Sequence, residues 1–133
     1  MANRRQIIQS GLAASALPAL SLADAALAAH PEHAQVYRAI YDERFAEGQA
    51  FALQAAQRGW PTRAIRGDVT DLWFHELGPR WKQGPAAVCG LTARESLFCL
   101  EHLAWDARMR VVSRTVDPKT QLVSWLIAPV RRA

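Results

Sequence analysis

The sequence predicts an α/β fold: a small three-layer domain of three β–α units, with a mostly parallel sheet plus a C-terminal antiparallel hairpin. Three observations lead there. Strand-like and helix-like periodicities alternate along the chain. Residues 85–89, Pro-Ala-Ala-Val-Cys, form a short run of small apolar side chains, which suits a strand buried on both faces. Two further strand-like segments, 110–116 and 122–128, flank Asp117-Pro118-Lys119-Thr120, a turn with proline at its second position. Strands that alternate with helices imply parallel pairing through right-handed crossovers. The hairpin adds one antiparallel edge strand.

Each element has its own signal. Residues 36–41 read as the first strand, which stops at Asp42-Glu43-Arg44. From Glu47 the period changes, and Gly48, Phe51, Ala52, Ala55 and Ala56 place one apolar face on a helix. Gly59 should end that helix, with Pro61 just beyond. Residues 62–66 form a short second strand that leads to Gly67-Asp68. Asp68 or Thr70 can cap a second helix carrying Leu72, Trp73, Glu76 and Leu77, and Gly78-Pro79 should terminate it. After the third strand, Gly90-Leu91 should turn the chain. Thr92-Ala93-Arg94-Glu95 has the form of a capping box and opens a helix that runs to about Arg108.

The first 28 residues are of another kind. Arg4 and Arg5 precede the aliphatic pair Ile7-Ile8, then a mild apolar stretch diluted by Gln9, Ser10, Gly11, Ser15 and Pro18. Ala26-Leu27-Ala28 closes it as an A-x-A cleavage site. The segment resembles a twin-arginine export signal, departing from that pattern at Asn3 and Gln9. The resemblance implies passage through the twin-arginine (Tat) translocase as a folded protein, cleavage before Ala29, and a bacterial periplasmic destination. Residues 29–35 then form a flexible lead-in, and residues 36–133 a single domain.

Removing the signal leaves 105 of 133 residues, enough for one core without staples. The net charge of +4 is interspersed, with no basic stripe among aromatics, so nucleic acid is not an expected partner. Cys89 ends a strand and Cys99 lies two turns into the following helix, a separation that disfavours a disulfide. Both are expected to be buried free thiols.

In an open α/β sheet, ligands bind beyond the carboxyl ends of the strands. That rule selects Asp42-Glu43-Arg44, Gly67-Asp68-Val69-Thr70 and Gly90-Leu91-Thr92-Ala93-Arg94. Arg44 and Arg94 are candidate donors to a carboxylate or phosphate. Asp42 and Asp68, if close, could share a proton or hold a cation. Asp68, Thr70 and Thr92 equally suit plain helix capping, and Arg44 could simply pair with Asp68. The glycines form neither GxGxxG nor a P-loop, and no cofactor or metal is expected. No serine has the nucleophile-elbow setting, and Cys89 has no histidine placed to activate it. His75 and His102 read as solvated. Trp73, Trp105 and Trp125 read as core, while Trp60 and Trp81 fall in loops.

These features point first to a small exported binding or accessory protein, for which a periplasmic redox-enzyme subunit or a small anionic ligand is the expected partner. An enzyme acting on a small anionic substrate at the strand ends is the alternative. A purely structural part in an envelope assembly is a third.

Overall fold

A computed structural model describes residues 35–130. The expected export signal, most of the lead-in and Arg131-Arg132 lie outside the described residues. The fold is mixed α/β, with one five-stranded sheet and three helical runs. The elements are β1 (Arg38–Asp42), α1 (Ala46–Gln57), β2 (Thr62–Ile65), a composite helix α2, β3 (Val88–Thr92), α3 (Arg94–Asp106), β4 (Met109–Val116) and β5 (Val123–Pro129). Among the described residues, no helix is long and apolar enough to cross a membrane.

The strand order is β2-β1-β3-β5-β4. β1 pairs in parallel with β2 and β3, whereas β5 pairs antiparallel with both β3 and β4. The sheet is therefore mixed rather than mostly parallel. The hairpin does not simply extend the edge. β5 enters the slot between β3 and β4, so the strand that runs against the others is internal, and the edge strand β4 runs with β1–β3. A strand as apolar as Val123–Pro129, buried at all but its last residue, is stabilised by neighbours on both sides.

Successive strand residues feed two apolar clusters, as the two-residue side-chain period requires. Ile40, Val88 and Ile127 join Leu97, Leu100 and Ala104 of α3, together with Leu72, Leu77 and Trp81 of α2. Their neighbours Ala39, Cys89 and Leu126 join Phe51 and Ala55 of α1. Burying a leucine such as Leu97 or Leu100 contributes about 2 kcal/mol.

Three boundaries differ from the sequence expectation. First, Gly78-Pro79 does not stop α2. An α turn at Thr70–Leu72 passes into a π stretch at Trp73–Leu77 and then into further α turns at Gly78–Lys82. Pro79 falls at the start of that last segment, where its missing N–H costs least. Second, β3 begins three residues late and runs through Gly90-Leu91, so these do not turn the chain. Gly90 lies opposite Ile40 and Trp125, and a Cβ there would collide with the Trp125 ring and the Ile40 carbonyl. Glycine at this position makes room for the indole. Third, the residue capping α3 is Ala93, and no side chain caps the helix. Thr92 belongs to the strand, where it pairs with Val123.

The tryptophans also move. Trp81 is helical and 5% exposed, and its indole N–H donates to the Ala86 carbonyl at 3.0 Å. Trp125 is core, as expected, whereas Trp105 is 45% exposed. The sheet-facing stripe of α3 is Leu97, Leu100 and Ala104, which turns Trp105 away.

Candidate functional site

The carboxyl ends of β1, β2 and β3 lie along one edge of the sheet. The register pairs Thr92 with Val123 and Val123 with Val116, so the β4–β5 turn stands at that same edge. The candidate residues thus meet a segment that the sequence did not associate with them.

Asp42 ends β1 with its side chain 1% exposed. It receives three hydrogen bonds from Arg44: backbone N–H to Oδ1 at 3.1 Å, Nε to Oδ1 at 2.9 Å and NH2 to Oδ2 at 2.7 Å. Burial raises the Asp42 pKa, but the bonds and charge of Arg44 outweigh it, and the carboxyl lies below its usual range. Arg44 thus pairs with Asp42, not with Asp68. Its guanidinium also covers the β2–α2 turn, where a Cβ on Gly67 would stand 2.8 Å from NH2. Gly67 has φ +90°, so that turn requires glycine on both counts.

Asp68 serves the start of α2. Its Oδ1 accepts from Thr70 N–H at 2.9 Å and from the Thr70 hydroxyl at 2.6 Å. Those bonds lower its pKa. Asp42 gives both oxygens to Arg44 and Asp68 gives Oδ1 to Thr70, and among the described residues no hydrogen bond joins the two carboxyls, so they do not form a proton-sharing pair. Thr92 is wholly buried, and its hydroxyl oxygen accepts from the Trp125 indole N–H at 3.0 Å. Ser96, which the sequence did not single out, donates to the Gly67 carbonyl at 2.7 Å and ties α3 to the β2–α2 turn.

Arg94 is different. It is exposed on the first turn of α3, and among the described residues its NH1 reaches only the neutral Gln121 Oε1 at 3.3 Å. Gln121 belongs to the β4–β5 turn and has φ +64°, with its backbone N–H bonded to the Asp117 carbonyl at 2.8 Å. Between α3 and this turn lies an open groove of about 770 Å³. Leu97, Leu122 and Val123 underlie it as buried core residues, and Phe45, Phe98 and Val116 give it an accessible apolar lining. Arg94 and Glu95 stand at one end, and Glu101 pairs with Arg114 across it at 2.7 Å. Arg44, at the strand-end edge, lies over the ring of Phe45, a residue that lines the groove, at 5.2 Å.

Cys99 also lines the groove as an exposed free thiol, contrary to the expectation that it is buried. Cys89 is buried and free, and burial pushes its thiol up to about 12. The two cysteines do not meet, because Cys89 points into the α1 cluster while α3 packs on the other.

Two further features were not singled out from the sequence, although the spacing of the first (residues 98, 102 and 105) is that of one helix face. Phe98, His102 and Trp105 stack along the exposed side of α3, with ring centroids 4.3 and 4.6 Å apart. Glu76, in the π stretch, bridges Arg38 of β1 at 2.9 Å and Arg63 of β2 at 2.6 Å. Among the described residues, no group of three or more histidine, cysteine or acidic side chains could hold a metal ion.

No family model, curated protein or solved structure matches this chain significantly.

Proposed function

We propose that the chain is a small binding or accessory protein of the bacterial periplasm, exported by the twin-arginine route and acting as a non-catalytic partner of a redox enzyme or as a carrier of a small anionic ligand. In the same reading the domain is a three-layer stack of three β–α units, α1 on one side of the sheet and α2 with α3 on the other.

One observation carries the functional reading. At the strand-end edge, where α/β enzymes place their reacting groups, Asp42, Arg44, Asp68, Thr70 and Thr92 are bonded to one another or to the core. Groups held in this way brace a surface and are poorly disposed to move protons. The open groove beside them and the exposed Phe98-His102-Trp105 stack suit contact with a partner, since aromatic side chains are frequent interface anchors. The enzyme alternative draws on Arg94, the one candidate cation facing a neutral group.

Mild extraction of periplasm from a producing bacterium, followed by size-exclusion chromatography, tests the proposal. A flavin-, haem- or molybdenum-containing subunit should elute with the chain, or a small acid should be released on its denaturation. A lone monomer with nothing bound argues against it.

A further inference from the structure

We propose that the groove between α3 and the β4–β5 turn binds an amphipathic monocarboxylate, with the carboxylate on Arg94 and an aliphatic or aromatic tail against Phe45, Phe98 and Val116. This rests on the reading of the chain as a binding protein and names the ligand class.

Size, lining and charge agree. A volume of about 770 Å³ falls within the range of small-molecule sites. Leu97, Leu122 and Val123 lie beneath the groove, none more than 3% exposed, so its base is anchored in the core and the apolar surface open to a ligand comes from Phe45, Phe98 and Val116. Phe45 and Phe98 flank it and can enclose a tail.

Charge selects the head group. Of the arginines near this edge, Arg44 is held by Asp42, Arg66 by Glu43 and Arg114 by Glu101. Among the described residues, Arg94 has only the neutral Gln121 amide, at a distance just beyond the usual range for such a bond. A guanidinium carries five donors, and a carboxylate would take two of them in a shorter, charge-assisted fork. Gln121 then remains a neutral neighbour: its amide already donates one N–H to the Pro118 carbonyl at 3.1 Å, and the second can donate to the bound acid. The acid should carry a single charge. Farther along the groove Glu101 is already neutralised by Arg114, so a second carboxylate there would meet a filled partner and a like charge. Glu95, near the head-group end, lies in the field of Arg44.

Titration of the full chain with acetate, hexanoate, octanoate and octylamine, followed by calorimetry, tests this. Affinity should rise about two- to fourfold per methylene from acetate to octanoate. Octylamine, equal in length but opposite in charge, should bind at least about tenfold more weakly. Arg94→Gln should weaken octanoate by about tenfold or more, as loss of a charged hydrogen bond implies. Phe98→Ser, at a position 62% exposed and so harmless to the core, should also weaken octanoate. Arg66→Gln, outside the groove, should leave octanoate affinity unchanged. The assignment is overturned if acetate binds as tightly as octanoate, if octylamine matches it, or if Arg94→Gln binds normally. The extraction experiment reads the broader proposal separately: a redox subunit recovered with a chain that ignores octanoate retires the groove assignment alone.

Discussion

At Asp42 two effects on one charge oppose each other, and the winner sets a pH dependence. Burial favours the neutral acid, and Arg44 favours the carboxylate more strongly. Because the folded pKa is depressed, the pair's contribution is complete above the unfolded carboxylate value of about 3.9 and is lost as pH falls through the lower folded value. Asp42→Asn should destabilise the protein by about 2 kcal/mol at pH 7, a figure held down by the partial exposure of Arg44. Urea unfolding should show the gap between native and variant closing as the medium is acidified below that range. A gap that stays constant would mean that the charge plays no part. The two thiols give a second test. The thiolate is the reactive form, and Cys89 is both buried and pushed up to about 12. A maleimide should label Cys99 alone in the folded protein and Cys89 only in denaturant. Equal native labelling of both would contradict the packing around β3. Residue chemistry of this kind was partly legible in the sequence. Asp42 and Arg44 stand two apart at one strand end and both were candidates, yet the ion pair suggested for Arg44 was with Asp68 and the structure gives Asp42. The Thr92–Trp125 bond spans 33 residues and had no local trace.

The helices show how element boundaries yield to their surroundings. Gly78-Pro79 is a strong stop signal, yet α2 passes through it. The π stretch before it bonds the Gly78 N–H to Trp73 O, five residues back. That wide turn brings the Gly78 backbone close to Trp73, and a Cβ would stand 2.8 Å from its carbonyl oxygen. Gly78→Ala should therefore destabilise by about 1–3 kcal/mol although alanine is the better helix former. Thermal unfolding followed by circular dichroism measures this, and a stabilised variant would show that the π stretch relaxes freely. Other helical features were readable. Phe51 and Ala55 face a core as their spacing indicates, and α1 ends before Gly59. On α3 the periodicity was ambiguous, because Phe98, Trp105, Leu97 and Leu100 are all apolar. Contact with the sheet chose Leu97 and Leu100 and left the aromatic stack outside.

For the whole molecule, the insertion of β5 is the decisive event. It completes the sheet between β3 and β4 and brings the 117–122 turn to the edge where β1, β2 and β3 end. The groove with Arg94 exists only because of that return. Export is the other property proposed for the whole chain. If the twin-arginine reading holds, Arg4→Lys combined with Arg5→Lys should leave uncleaved precursor in the cytoplasm, seen by fractionation and blotting. Normal periplasmic accumulation of that variant would remove the premise. A protein that folds before export cannot depend on a periplasmic disulfide, and the free Cys89 and Cys99 meet that condition. The sequence alone determined the kinds of element, their order and the closing hairpin, because side-chain period and turn chemistry act over a few residues. Only the tertiary structure decided the strand order, the exposed side of α3 and the groove at its N-terminal end. Those follow from pairings across many tens of residues, where several arrangements satisfy the same local pattern and the packing of Gly90 against Trp125 helps to select one.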